Sequence, residues 1–413
     1  MLLNKPTTLS DNIAANNKQR SLLSNLKNFL RWLVILSILS TTVGTASAGF
    51  LQSLEWVTQF REQHIWIIAF LPLAGLLVGL LYHYYGKEVE AGNRVLIDTI
   101  RQPKTIIPFR MVPFVYLGTM ATHLFGGSAG REGTAMQMAA GIADQLSRPF
   151  KLTPEQRSVL IIAAVAAGFG SLFGTPMAGA VFALEFIFWK RIHYNAVLPA
   201  IAASFGADYI TKCWNTPHTA FFINTVPTIS SGNLLYTLLA GVIFGACAAL
   251  FIRLMHRCKL FFSNNISFPP WRPFLGGILI ATAVWAMGST QYIGLGIPTI
   301  LASFDTALPS YNFLIKMAFT VVTLSAGFKG GEVTSLFFIG AALGSALSLF
   351  IPLPTALLAG MGFVAVFAGA SKTPIACSIM AMELFGYESA VFISLACCMA
   401  YFASGKKSIY STA

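Results

Sequence analysis

Acidic residues are scarce in this chain: Asp and Glu number 15 of 413, against 27 Lys and Arg, and charged residues make up 10% of the sequence. A soluble domain carries about a quarter charged residues, so a conventional soluble surface is excluded. Histidine is thin as well, at six. The six cysteines, Cys213, Cys247, Cys258, Cys377, Cys397 and Cys398, show neither zinc-ligand spacing nor a disulfide framework and are read as free thiols. No metal or other cofactor is expected. The formal charge of +12 does not signal a nucleic-acid partner, because the basic residues are scattered or flank apolar runs, as membrane topology requires.

What is abundant is hydrocarbon: 55% of residues are hydrophobic, and the mean hydropathy is +0.69. Uncharged runs at 32–51, 65–82, 158–184, 213–252, 273–304 and 333–371 reach or exceed the length that crosses a bilayer. Several are too long for one helix and carry internal Gly and Pro, so they must be broken. An all-α integral membrane protein follows. Lys5, Lys18, Arg20, Lys27 and Arg31 precede the first span, and Lys406 and Lys407 follow the last, which puts both termini in the cytoplasm. No cleavable leader is expected, because the first apolar run starts near Phe29 and is long enough to remain as a span.

The order along the chain is expected to be a polar segment at 1–28, mobile or lying on the membrane surface, and a first transmembrane repeat at 29–212. An outer loop at 213–233, a second repeat at 234–405 and a tail at 406–413 complete it. Within this, helices are expected at about 30–51, 64–85, 107–125, 134–147 and 234–256. A re-entrant or interfacial break should lie at 86–99 and a charged loop at Arg148, Lys151, Glu155 and Arg157. The run 158–184 should split at Phe173-Gly174-Thr175-Pro176, because Pro suits the first turn of a new helix. Its second piece ends in Glu185 and the basic pair Lys190-Arg191.

One stretch stands out, Gly126-Gly127-Ser128-Ala129-Gly130-Arg131-Glu132-Gly133-Thr134. Its glycines free the backbone to turn tightly, a helix begins at its end, and a helix N-terminus with bare amides attracts anions. Glu132 there is a tethered carboxylate able to occupy an anion site or, once protonated, to leave it. An ionisable residue in such a setting marks a pathway. Pairing with Arg131 is the bland alternative, weakened because adjacent helix residues do not face one another. Arg131 itself would raise the local potential or anchor the loop.

The second half repeats the first. Gly327-Phe328-Lys329-Gly330-Gly331-Glu332-Val333-Thr334 matches 127–134, with Glu132 and Glu332 lying 200 residues apart, and Thr373-Pro374-Ile375-Ala376 with Glu383 matches Thr175-Pro176-Met177-Ala178 with Glu185. Two such halves usually have inverted topology, with the site where their broken helices meet. Glu332 then either carries a proton or anion role or bonds its own helix end. Thr134 and Thr334 offer hydroxyls to an ion or serve as caps. Asn93 donates to an anion or satisfies its turn, and Glu185 and Glu383 read as paired or interfacial. Gly126-Gly127-Ser128-Ala129-Gly130 also fits G-x-S-x-G, so an intramembrane serine protease is a distant alternative. No strand precedes Ser128, however, and no His is suitably placed as its base.

These motifs resemble the CLC family of chloride channels and proton-coupled anion antiporters over most of the chain. Gly130-Arg131-Glu132-Gly133 is similar to its gate motif, 175–185 to the following segment, 327–336 to the second break, and Gly405-Lys406-Lys407-Ser408-Ile409-Tyr410 to the place where a Tyr hydroxyl meets the ion. The departures resemble the bacterial fluoride-exporting branch: Thr134 for Pro, Gly92-Asn93-Arg94-Val95-Leu96 for G-S-G-I-P, Gly331-Glu332-Val333-Thr334-Ser335 for G-x-F-x-P. Phe186 stands where chloride antiporters keep an inward-facing Glu. The resemblance implies a fold of two inverted repeats with many broken, tilted and re-entrant helices, a homodimer in the bacterial cytoplasmic membrane, and fluoride export in exchange for protons. Glu132 and Glu332 would handle gating and protons, while Asn93, Gly130, Arg131, Gly133, Thr134, Val333, Thr334 and Tyr410 would form the anion path. Chloride/proton exchange or passive chloride conduction is the alternative within the same fold.

Overall fold

Sixteen α-helices and two short 3-10 turns make up the regular structure among the described residues, which in this computed structural model are 9–187, 194–216 and 218–410. Residues 1–8, the pair Lys190-Arg191 and residues 411–413 lie outside them. The first eight helices are α1 (Leu9–Gln63), α2 (Leu71–Tyr85), α3 (Asn93–Arg101), α4 (Met111–Leu124), α5 (Glu132–Gln145), α6 (Pro154–Phe173), α7 (Pro176–Ile187) and α8 (Val197–Cys213). The next eight are α9 (Ser231–Asn265), α10 (Trp271–Met287), α11 (Ile297–Asp305), α12 (Asn312–Ser325), α13 (Val333–Leu347), α14 (Thr355–Ser371), α15 (Pro374–Phe385) and α16 (Ala390–Ala403).

The two sets correspond one to one. Each opens with its longest helix, α3 and α11 have nine residues each, α4 and α12 fourteen, and α7 and α15 twelve. Helices α2 and α10 pack on one another, as do α7 and α15, so equivalent elements of two inverted repeats meet. Among the described residues, four helical stretches are long and apolar enough to cross a membrane alone, at Leu23–Gln63, Ile65–Tyr85, Pro154–Phe173 and Ser231–Asn265. The remaining apolar helices have 17 residues or fewer, and a bilayer tolerates helix ends at depth only where they are buried in protein or line a cavity.

The chain departs from the expected boundaries in several places. Helix α1 begins at Leu9, not near 30, and runs unbroken to Gln63. Between Pro6 and Gly44 there is neither Gly nor Pro to interrupt it, so the polar segment continues the span as helix. The turns after Tyr85 lead into the nine-residue helix α3, so 86–99 is only half a break. The charged loop also ends early: Thr153 and Gln156 form a capping box around Pro154, so Glu155 and Arg157 already belong to α6. The division at 173–176 falls where expected, with Gly174 left-handed at φ 71° and Pro176 opening α7.

Exposed apolar positions gather on the outer helices, among them Phe29, Leu33, Leu77, Leu235 and Leu279. Helices α6 and α14 are buried almost throughout. Small residues let the central helices touch backbone to backbone: a Cβ at Gly340 of α13 would fall on the carbonyl of Gly362 in α14. Asp144 and Arg157 form a buried bidentate pair at 2.5 and 2.6 Å, and Asp144 also accepts from the Ile107 amide at 2.7 Å. That ties α5, α6 and the entry to α4 together.

Glu185 and Glu383 form no ion pair with a described residue; each caps a helix instead. Glu383 accepts from the amides of Met177 at 2.9 Å and Ala178 at 2.8 Å, at the start of α7. Glu185 returns the contact, accepting from Ile375 at 3.2 Å and Ala376 at 2.8 Å at the start of α15. Each Thr-Pro helix start is thus capped by the closing Glu of the opposite repeat, an arrangement that places a carboxylate on two orphan N–H groups.

Candidate functional site

The two glycine-rich breaks meet. Gly130 donates its N–H to the Gly331 carbonyl at 2.6 Å, and Gly331 donates to the Gly130 carbonyl at 2.9 Å, an antiparallel bridge between the repeats. Glycine is needed at both positions because of this approach. A Cβ on Gly331 would lie 2.6 Å from Glu132 Oε2 and 2.8 Å from the Gly133 nitrogen. The first break is held from the second repeat as well: the Ser128 amide donates to Thr323 Oγ1 at 3.1 Å and the Gly294 amide to the Gly127 carbonyl at 2.9 Å.

Glu132, the first residue of α5, is fully buried. Its carboxylate reaches across the bridge to the start of α13, where Oε1 accepts from the Thr334 amide at 3.1 Å and from the Thr334 hydroxyl. Oε2 accepts from the Arg131 amide at 3.0 Å. A carboxylate therefore sits on a helix N-terminus contributed by the other repeat, with a hydroxyl and two amides as donors, which is the chemistry of an anion site. Val333 opens α13 and is buried beside it.

The other expected residues fall into two groups. Asn93 starts α3, and its Oδ1 accepts from Gln137 Nε2 at 2.9 Å. That contact leaves the Asn93 amide group as donor, and a Cβ on Gly133 would lie 3.4 Å from Asn93 Nδ2, so the amide faces the start of α5. Arg131 lends its backbone amide to Glu132, while its buried Nε has no partner. Thr134 goes elsewhere: its hydroxyl pairs with Thr119 of α4 at 2.6 Å, so it neither caps its helix nor touches Glu132. Glu332 precedes α13, half-buried, and its carboxylate makes no hydrogen bond to another described residue. Tyr410 packs edge-on against Phe186 with centroids 4.4 Å apart, its hydroxyl buried and unpartnered.

Two chambers border the candidate site residues, one through Arg131 and Thr334 and the other through Tyr410. On the side of the 214–230 loop, Arg131, Thr334, Phe173, His218 and Phe337 enclose about 20 Å³ of free space, enough for one water or an ion of that size. On the side of the C-terminal tail a cavity of about 700 Å³ is lined by Arg101, Glu185, Phe186, Lys372, Lys406 and Tyr410. Stacked rings stand around them, with Phe337 on Phe363 at 4.0 Å and Phe169 on Phe182 at 4.2 Å. Sequence reasoning missed this wall and the Gln137 contact. Evenly spaced Phe in apolar helices reads as core, and nothing local marks Gln137 as the partner of Asn93.

The protease geometry does not assemble. Ser128 Oγ pairs with Thr320 Oγ1 at 2.9 Å, and the His123 ring turns to the Gly130 carbonyl at 3.4 Å.

Comparison with known proteins agrees with this arrangement. The voltage gated chloride channel family profile matches residues 74–405. The chain is 48% identical over 386 residues, 92% of its length and 85% of the relative's, to a protein of Pseudomonas syringae pv. tomato named chloride/fluoride channel protein. It is 26% identical to the H(+)/Cl(-) exchange transporter ClcA of Cronobacter sakazakii, covering 95% of this chain and 91% of that one. Among solved structures, a CLC-type fluoride/proton antiporter superposes with a TM-score of 0.89 at 33% identity, over 98% of both chains. A slow cyanobacterial Cl-/H+ antiporter, at 19% identity and TM-score 0.82 over 92% and 96% of the two chains, shares the fold. With its two breaks bridged at Gly130 and Gly331 and its profile match spanning most of the sequence, the chain belongs to the CLC family of anion transporters.

Proposed function

We propose that the protein exports fluoride across a bacterial cytoplasmic membrane in exchange for protons, with Glu132 as the gate. The observation that carries this reading is the Glu132 carboxylate seated on Thr334 and the Arg131 amide, an anion site filled by the protein's own acid. Charged, the carboxylate excludes the anion; protonated, it loses its hold on those donors, swings out, and a fluoride takes them. Fluoride is small and tightly hydrated, so close, strong donors must replace its water, and one hydroxyl with several amides meets that need. The Asn93 amide and the Tyr410 hydroxyl, both without a protein acceptor in the site, extend the path toward the tail-side cavity. Glu332, with no partner of its own, is the second proton carrier. Likeness to the named fluoride/proton antiporter supports the substrate and the coupling. The tail-side cavity then faces the cytoplasm with both termini, and two copies form a dimer with one pathway each.

The test is efflux from proteoliposomes loaded with fluoride or chloride at two transmembrane pH differences. Fluoride flux should exceed chloride flux, and an inward proton gradient should drive fluoride outward against its own gradient. Glu132→Gln should abolish this uphill movement. A second reading, passive conduction, is favoured by the name of the Pseudomonas syringae relative, a chloride/fluoride channel protein. Flux that ignores the pH difference would select it, and equal chloride flux would overturn the substrate.

A further inference from the structure

Behind the first break lie buried cations that the exchange scheme does not use. Lys316 of α12 is 0% exposed, and its Nζ donates only to carbonyls, those of Tyr292 at 3.1 Å and Gly294 at 2.7 Å, while lying 5.2 Å from the centre of the Phe338 ring. Arg61, near the end of α1, is 5% exposed and donates to the His123 carbonyl at 2.7 Å. Its ion-pair partner among the described residues, Glu62 at 3.8 Å, has a side chain 58% exposed and so screened by solvent. The two cations converge: a Cβ on Gly294, whose carbonyl Lys316 holds, would lie 2.8 Å from Arg61 Nη1.

The cluster is wired to the site. Gly294 donates its amide to the Gly127 carbonyl at 2.9 Å, and the buried His123 ring, its Nδ1 unpartnered, faces the carbonyl of Gly130 in the bridge itself. A buried cation without a counter-ion is strongly unfavourable. Three acids are buried among the described residues, Asp144, Asp208 and Glu132. Asp144 is matched by Arg157 and Asp208 by Lys212, whereas Glu132 forms no ion pair among the described residues and has as its cationic neighbour the adjoining Arg131, whose buried Nε is unpartnered. The half-buried Glu332 lies on the second break, which the bridge joins to the first.

We infer that Lys316 and Arg61, lying behind the first break and adding to the adjoining Arg131, make the Glu132 position electropositive, so that it favours one negative charge at all times. When a proton neutralises Glu132, the local excess of positive charge grows by one, and an entering halide returns it to its former value. Protonation and anion entry are thereby coupled through the field of residues that touch neither. Lys316 is in this sense a positioning residue, and the inference rests on the exchange scheme above.

The test is calorimetric fluoride binding to the purified full-length protein in detergent. Glu132→Gln, with the gate neutral, should bind fluoride. Adding Lys316→Gln should weaken that binding at least tenfold, and adding Lys316→Arg instead should leave it within threefold, because charge and not shape is what matters. Arg61→Gln in the same background should weaken it in the same direction, and it replaces Lys316→Gln should that chain not fold. Unchanged affinity in the Gln variants, or equal loss with Gln and Arg at 316, would overturn the inference alone. Absence of fluoride binding by the Glu132→Gln protein would overturn the exchange scheme and this inference with it.

Discussion

At the scale of single residues the site depends on which hydroxyl reaches the acid. By sequence Thr134 and Thr334 are equivalent members of matching motifs, yet Thr334 bonds Glu132 and Thr134 bonds Thr119. The reason is the bridge, which brings the start of α13 over Glu132 while Thr134 faces back to α4. Thr334→Val keeps the amide and removes the hydroxyl. A hydrogen bond to a charged group contributes about 1.5–3 kcal/mol, so this variant should weaken fluoride by roughly one to two orders of magnitude, read as a raised KM for efflux. Thr134→Val should leave the KM unchanged. Glu132 was legible without a structure because an acid among glycines in an apolar chain has few bland explanations. The capping of α15 by Glu185 was not, since its partners Ile375 and Ala376 lie 190 residues away.

At the scale of helices, the breaks are held open by anchors outside them. Asp144 at the end of α5 binds Arg157 of α6 and the Ile107 amide, which fixes the far end of the helix that begins at Glu132. Removing one member of a buried pair costs about 3–5 kcal/mol because the other is left uncompensated. Asp144→Ala should therefore lower the thermal midpoint in micelles steeply, and Asp144→Ala with Arg157→Met should recover part of the loss. On the other side, α13 is fixed by its contact with α14, where Gly340 meets the Gly362 backbone. Gly340→Val must push the two helices apart, and overpacking of this kind costs about 1–3 kcal/mol or more. Loss of monodisperse protein on size-exclusion chromatography is the expected result. The sequence marked Arg157 as a loop residue because charge near a Pro reads as an exposed turn, and burial of that charge depends on Asp144 arriving from another helix.

At the scale of the whole molecule, two eight-helix halves are joined by reciprocal contacts: the Gly130 and Gly331 bridge at the centre, and Glu383 on α7 with Glu185 on α15. Each Glu carries a pair of charge-assisted bonds, so Glu185→Gln or Glu383→Gln should each destabilise by about 1–3 kcal/mol. Because both interlock the same pair of helices, the double variant should lose less than the sum of the singles. Additive losses in thermal denaturation would show the two caps to be independent. The two chambers exist only at this scale, since each draws its walls from both halves.

Composition and the doubled motifs determined by themselves that the chain is helical, lies in a bilayer and is built as two related halves around acids at 132 and 332. Lipid admits few other solutions for so apolar a sequence, and glycine breaks at depth must be buried against protein. Only the tertiary structure decided which donors meet which acid, which glutamates serve as caps, and where buried cations rest on carbonyls. Those outcomes depend on contacts between residues some 200 positions apart, whose pairing is set by helix packing and leaves no local trace in the chain.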